Sequence, residues 1–339
     1  MKILVTGGAG YLGSTFVPML LQNGHEVVVL DRFFFGEENL PPASSTPHLT
    51  LLRDDTRWCS GRSFEGVDAV VDMAALSNDP AGELDPWKTY EINYLGRSRV
   101  ARLAREAGVS RYLVTSSCSL YGFQEKVLTE ESPPHPLTAY ARANVLVERD
   151  NLPLASPKLT VTAVRFSTLY GLSPRMRFDI AINGMVLGAS RTGKIPVMRD
   201  GQQWRPFLHV RDAAQAIYDI LQAEPAKVNG QVFNIGSEDQ NFQIRPLAEV
   251  VAGAMKHPPQ LEWYGDVDNR SYRVSFAKAQ RVLGFAPRLR PTDAVREIEA
   301  ALAEGRVDPS TKTKTVDWYK HLLTDAHAGQ AVALRGVVL

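Results

Sequence analysis

Met1-Lys2-Ile3-Leu4-Val5-Thr6-Gly7-Gly8-Ala9-Gly10-Tyr11-Leu12-Gly13 opens the chain and passes into Ser14-Thr15-Phe16-Val17-Pro18-Met19-Leu20-Leu21. A short apolar run ended by glycines and followed by an amphipathic stretch is the pattern of a buried strand leading directly into a helix. Gly7 permits the tight turn, Gly10 lets a pyrophosphate approach bare backbone, and Gly13 lets helix pack closely on strand. The free N–H groups of the helix start and their partial positive charge then face the phosphates. Glycine spacing alone also suits an ordinary turn. The next apolar run, Glu26-Val27-Val28-Val29-Leu30, weighs against that because it ends in Asp31, near the offset of about 20 residues at which a carboxylate receives the adenosine ribose hydroxyls. Together the two runs predict a dinucleotide site. Asp31 repels a 2′-phosphate and so selects NAD; Arg32 beside it is the residue able to reverse that preference toward NADP.

A chain of 339 residues exceeds the size at which a single core stops growing, so a large domain with an appended lobe is expected. A hydrophobic content of 44% and a charged content of 22% are those of a globular enzyme. The formal net charge of +1 excludes a global electrostatic footprint for nucleic acid or for a membrane surface, so any anion is bound locally. Cys59 and Cys118 are far apart and match no metal-ligand spacing, which predicts a reducing compartment, no disulfide framework and no metal site. No stretch approaches the roughly 20 apolar residues of a membrane span, and no signal-peptide core precedes the glycines. A cytoplasmic protein is expected.

Along the chain, strand alternates with helix. Leu49-Thr50-Leu51-Leu52-Arg53 is a third strand leading to Asp54-Asp55-Thr56, where a carboxylate can meet an adenine amino group. Phe33, Phe34 and Phe35 either flank that adenine or fill core. Residues 68–75 form a fourth strand whose last members, Met73, Ala74 and Ala75, leave room for the cofactor. A long helix over 86–106 and a fifth strand over 111–115 deliver Ser116-Ser117-Cys118-Ser119-Leu120-Tyr121-Gly122, and Thr138 is a plausible N-cap for a helix over 138–151. A sixth strand covers 159–166. This βαβα succession predicts an α/β fold with a doubly wound, mostly parallel Rossmann sheet and ligands at the carboxyl ends of its strands. The expected division is a cofactor domain over 1–171, to which 206–235 returns, a smaller C-terminal substrate-binding lobe over 172–327, and a loose tail over 328–339.

The glycine turn, the 116–122 block, Tyr140 and Arg205-Pro206-Phe207-Leu208-His209-Val210-Arg211-Asp212 together resemble the extended short-chain dehydrogenase/reductases, and within them the NAD-dependent nucleotide-sugar epimerase/dehydratase group. The likeness spans roughly residues 1 to 325. It implies NAD as cofactor, a nucleotide-diphospho-sugar substrate and a homodimer built on the 86–106 and 138–151 helices. Tyr140 matches the family's acid/base and Ser117 the hydroxyl that binds the same oxygen. The resemblance further implies cofactor contacts from Gly7, Gly10, Tyr11, Leu12, Gly13, Asp31 and Arg32. Asp55, Thr56, Met73, Ala74, Ala75 and Asn93 join them, as do Ser116, Tyr140, Asn144 and Phe166. For the substrate it implies Arg205, Arg270 and Asn183 at the diphosphate, with Ser77, Ser119 and Thr168 toward the sugar. Thr168 stands where many relatives carry Asn. His209 and Asp212 are expected to fix the lobe.

Two departures matter. The family's lysine four residues after the tyrosine is Asn144 here, on the same helical face as Tyr140 but without charge. Arg142 points about 200° away round the helix and is a poor substitute. A phenol without a neighbouring cation titrates near its reference value of about 10 and stays neutral at pH 7, able to donate a proton but a poor base for starting an oxidation. After Ser117, Cys118 and Ser119 replace the Asp and Glu of the family's thymidine-diphosphoglucose 4,6-dehydratases, so that dehydration lacks its acid and base; Cys118 is expected to be a buried inert thiol. The expected activity is an NAD-dependent epimerase that works through a transient keto sugar. The alternatives are a keto-sugar-nucleotide reductase using NAD(P)H and a non-catalytic NAD-binding relative.

Overall fold

The computed structural model describes residues 1–266 and 270–339; Asp268 and Asn269, which precede Arg270, lie outside the described residues. Seven parallel strands form the central sheet, in the order Gln231–Ile235, Thr160–Phe166, Arg111–Ser117, Ala69–Asp72, Lys2–Thr6, Glu26–Asp31, Leu49–Arg53. The order reverses beside Lys2–Thr6, which places a crevice at the carboxyl ends of that strand and of Ala69–Asp72. Strand Thr160–Phe166 is buried along its whole length, as expected of a parallel strand covered on both faces. One layer of core joins Phe16, Val17 and Leu20 of helix Gly13–Gln22 to Ala213, Ile217 and Ile220 of helix Val210–Gln222; the opposite layer carries Val100, Ala101 and Ala104 against Leu4 and Val70.

The second lobe has its own core around Ile182, Met185, Val186, Leu247, Val251 and Ile298. Outside the central sheet the strands are short: Trp204–His209 pairs with Thr168–Tyr170 and Asn241–Gln243, Lys194–Met198 with Gln260–Tyr264, and Phe123–Leu128 with Ser271–Val274.

Two sequence expectations need correction. The helix over 86–106 is not uniform: Pro86–Tyr90 and Arg97–Glu106 are α-helical, and Glu91–Gly96 between them is a π-helical turn. The residues after His327 are not loose. Helix Ala326–Val332 and the chain behind it are docked, with Leu339 buried beside Tyr319 and Leu322. The physical reason is one guanidinium: Arg32 Nη2 donates to the carbonyls of Val332, Val337 and Val338 at 3.0, 2.8 and 3.0 Å.

Candidate active site

A cleft of about 810 Å³ runs between the carboxyl ends of the sheet and the second lobe. On the sheet side, Gly7 takes φ +69°, and a Cβ there would sit 2.8 Å from Ala74 Cα. A Cβ on Gly13 would sit 2.5 Å from the Gly8 carbonyl. Turn and close packing therefore exclude any side chain at both positions. Asp31 ties this turn to the second strand, its carboxylate accepting the Ala9 N–H at 2.9 Å and the Phe33 N–H at 2.8 Å. Burial raises the Asp31 pKa above its ordinary value, against those bonds. Gly10, Leu12, Met73, Ala74, Ala75 and Phe166 line the same wall.

Arg32 does not serve as a free anion binder. It is buried, with Nη1 on Asp55 at 2.8 Å and Nη2 on the three tail carbonyls, so both terminal nitrogens are engaged, while the buried Nε has no bond among the described residues. Burial would raise the Asp55 pKa, but Arg57 and Arg32 reverse this and hold it below the usual carboxylate value. Thr56 lines the cleft next to Asp55, close against Gly96 of the π turn.

Two expected contacts are structural. Asn93 is buried with its amide bonded to the Leu76 N–H and carbonyl, at 2.8 and 3.1 Å. Asn183 is fully buried; it accepts the Gly171 N–H at 2.9 Å and donates to the Tyr11 hydroxyl and the Gly171 and Arg177 carbonyls. Neither amide lines the cleft. The Tyr11 hydroxyl belongs to the same knot, donating to the Gly171 carbonyl at 2.6 Å. Both asparagines were placed by family pattern, and their local sequence carries no sign that backbone groups would consume them.

The reacting end is built on two elements. Helix Ala139–Asn151 starts at Thr138, whose Oγ1 accepts the Ala141 N–H at 3.1 Å and donates to Asp79 at 2.6 Å. This sets Tyr140 on the cleft wall beside Ser117, at the end of strand Arg111–Ser117, and beside Asn144 one turn on. The phenol pKa is raised, first by burial and then by the Asp79 carboxylate; hydrogen bonding to Ser117 and Asn144 and the charge of Arg97 oppose the rise. Ser116 donates to Glu148 instead of facing the cleft alone, and Cys118 is a buried thiol pushed up by desolvation, as expected of an inert one. His209 pairs with Glu297 at 2.7 Å and Asp212 caps the Arg288 and Leu289 N–H groups, so both fix the lobe.

Across the cleft, Arg205 donates to the Trp204 and Arg270 carbonyls and lies over the Tyr272 ring. Arg270 is ion-paired with Asp79 at 2.6 Å. Ser77, Ser119 and Thr168 line the space between. Four buried polar atoms in these walls have no partner among the described residues: Ser119 Oγ, Gln203 Oε1, Arg175 Nε and Arg32 Nε. Arg175 is buried, holds only the Thr315 hydroxyl at 3.0 Å and stacks on Phe35, while burial lowers its pKa to about 10. Its neighbour Arg177 is instead spent on Asp179 through two bonds of 3.0 Å. An uncompensated buried guanidinium beside a glycine cradle suits an anionic cofactor.

Sequence reasoning missed Arg97, Arg175 and Gln203. For Arg97 a signal existed: it shares the apolar stripe of Val100, Ala101 and Ala104, which follow it by three, four and seven residues, the spacing of a single face. A lone charge on a buried stripe asks for an explanation. Arg175 and Gln203 sit in irregular segments with no period to mark them.

Fold and cleft define a Rossmann-type nucleotide-binding enzyme scaffold with a substrate lobe. The model of the NAD dependent epimerase/dehydratase family matches residues 3–236, and the chain belongs to that family. A UDP-glucose 4-epimerase of Mycolicibacterium smegmatis is 31% identical over 335 residues, covering 95% of this chain and 99% of that protein. UDP-glucuronic acid decarboxylase 6 of Arabidopsis thaliana is 27% identical over 303 residues, covering 86% and 85%. The solved structure of MoeE5 in complex with UDP-glucuronic acid and NAD superposes with a TM-score of 0.79 at 27% identity, covering 90% of this chain and all of that one. NAD is the cofactor of this family, and the cradle, Asp31 and the unbonded Nε of Arg175 fit it.

Proposed function

We propose that this chain is an NAD-dependent epimerase of a nucleotide-diphospho-sugar, acting through a transient keto intermediate. The observation that carries this is the meeting, in one cleft, of Tyr140, Ser117 and Asn144 with the glycine cradle on one side and Arg205 and Arg270 on the other. Glycines 7, 10 and 13, Asp31 and Arg175 hold the cofactor, which supplies a hydride acceptor and donor when bound. Tyr140 takes and returns the proton of the sugar hydroxyl, Ser117 orients that oxygen, and Asn144 binds the nicotinamide ribose. The Ser119 hydroxyl, left unpartnered, meets a sugar hydroxyl. Arg205 and Arg270 face the diphosphate, where guanidinium forks suit paired oxygens. The Mycolicibacterium relative supports the epimerase reading.

A second reading, reduction of a keto-sugar nucleotide, is favoured by the raised phenol, since a neutral phenol donates a proton readily and accepts one poorly. Incubation with a panel of UDP-, GDP-, CDP- and thymidine-diphospho-sugars, with and without NADH, separates the two by NMR and mass. Inversion of a ring carbon with no net NADH use supports the epimerase; NADH consumption on keto sugars alone replaces it with the reductase. Trp87 and Leu95, 81% and 56% exposed on the 86–106 helical stretch, support a homodimer, checked by light scattering. Two free buried cysteines, and no helix among the described residues long and apolar enough to cross a membrane, accord with a cytoplasmic location.

A further inference from the structure

We propose that Arg97, on the helix neighbouring that of Tyr140, supplies the positive charge beside the Tyr140 phenol and acts on it through the Asn144 amide. This rests on Tyr140 being the acid/base of the proposed reaction. Arg97 is 1% exposed and lines the cleft. Its Nη2 donates to the Asp72 and Thr115 carbonyls, the former at 2.9 Å and the latter at 2.5 Å, and its Nη1 points to Asn144 Oδ1 at 3.5 Å. With its oxygen turned to the guanidinium, the Asn144 amide turns its NH₂ group toward Tyr140, whose carbonyl it meets at 3.2 Å.

A buried arginine is costly to desolvate, and a structural one is normally matched to a carboxylate through a fork. Arg97 is not. Asp72 accepts from the Thr6 and Tyr112 hydroxyls at 2.6 and 2.7 Å, whereas Arg97 Nε reaches it only at 3.4 Å. Neither Nη atom is given to that carboxylate, and Nη1 is the one aimed at Asn144. The other charges facing the phenol are spent in pairs: Asp79 with Arg270 at 2.6 Å and Arg177 with Asp179 at 3.0 Å. A cation near a phenol favours its ionised form. Arg97 touches no reacting atom, so it is a positioning residue. Its field offsets part of what burial and Asp79 do to Tyr140.

The test uses the full-length, NAD-loaded protein labelled with [ζ-¹³C]tyrosine, with Tyr140→Phe identifying the signal. Arg97→Gln alone strands Asp72 and is expected to fold poorly, so Asp72→Asn/Arg97→Gln removes both charges. In that double variant the Tyr140 titration is expected to move to higher pH with NADH affinity unchanged. Any turnover at pH 7 is expected to fall roughly tenfold for each pH unit of that movement. Asn144→Lys, added to the double variant, places a cation one turn from Tyr140 and is expected to bring both values back. A titration unmoved in Asp72→Asn/Arg97→Gln overturns the proposal, because the two charges then cancel at the phenol. Wild-type protein that turns over no sugar nucleotide defeats the proposed function, while the NMR titration still judges Arg97.

Discussion

Replacing Arg32 with Met keeps an aliphatic stem but removes the guanidinium that holds Asp55 and the carbonyls of Val332, Val337 and Val338. A hydrogen bond to a charged group contributes about 1.5–3 kcal/mol, yet the four losses do not add. Asp55 keeps Arg57 on both oxygens, and tail carbonyls released from Arg32 regain water. What caps the loss is the docking of the tail itself, chiefly the buried Leu339 and the partly buried Val332 and Val338. Full burial of one such side chain is worth about 1.5–3 kcal/mol. A net cost of about 3 kcal/mol follows, which at about 2–4 °C per kcal/mol lowers Tm by roughly 6–12 °C, nearer the lower figure for a chain of this length. Differential scanning calorimetry measures the first part. Hydrogen exchange then shows whether amides over 326–339 lose protection while those of the central sheet keep theirs. Fluorescence titration with NADH and NADPH adds a control: the preference for NADH is expected to persist in Arg32→Met, because both terminal nitrogens of the guanidinium are engaged by Asp55 and the tail. An unchanged Tm with a protected tail refutes the docking argument, and a reversed cofactor preference refutes the assignment of that preference to Asp31.

Arg175→Met is expected to weaken NADH binding about 10–100-fold, the equivalent of one lost charged hydrogen bond, without lowering Tm, since it removes a buried cation that lacks a carboxylate partner; equal affinity in a fluorescence titration counts against Arg175 at the cofactor. Asn183→Ala leaves the buried Gly171 N–H without its acceptor and takes one donor from the Tyr11 hydroxyl, which keeps its bond to the Gly171 carbonyl, and is expected to cost about 1–3 kcal/mol by urea unfolding. The KM for the sugar nucleotide should stay near wild type, and a KM effect without a stability effect would return Asn183 to the diphosphate. Because burial and Asp79 raise the Tyr140 pKa, its proton is present through the neutral range and is lost only as pH rises through that raised value. The oxidation half-reaction should therefore speed up with increasing pH across the neutral range; single-turnover reduction of bound NAD reports it, and a rate already level from pH 6 contradicts the raised phenol.

The cofactor half of this protein is written locally. A positive φ at Gly7, the absence of any Cβ at Gly13 and a carboxylate at the end of the second apolar run are demands on single residues or on neighbours, so they are visible in the order of amino acids. The parallel sheet follows for the same reason: continuous apolar runs alternating with amphipathic ones leave few other topologies. The substrate lobe was less legible because its strands, such as Thr168–Tyr170 and Asn241–Gln243, are three residues long, too short to show a period. Side-chain roles that depend on partners far along the chain were not legible at all. Asn183 meets Tyr11 across 172 positions and Arg32 meets Val338 across 306, so each is claimed by groups that no local window contains. Arg97 and Asn144, 47 residues apart, are the same case at the reacting centre. From its own helix Tyr140 has an uncharged amide beside it, and the cation arrives from a neighbouring helix whose packing, set by the whole core, brings the two side chains together.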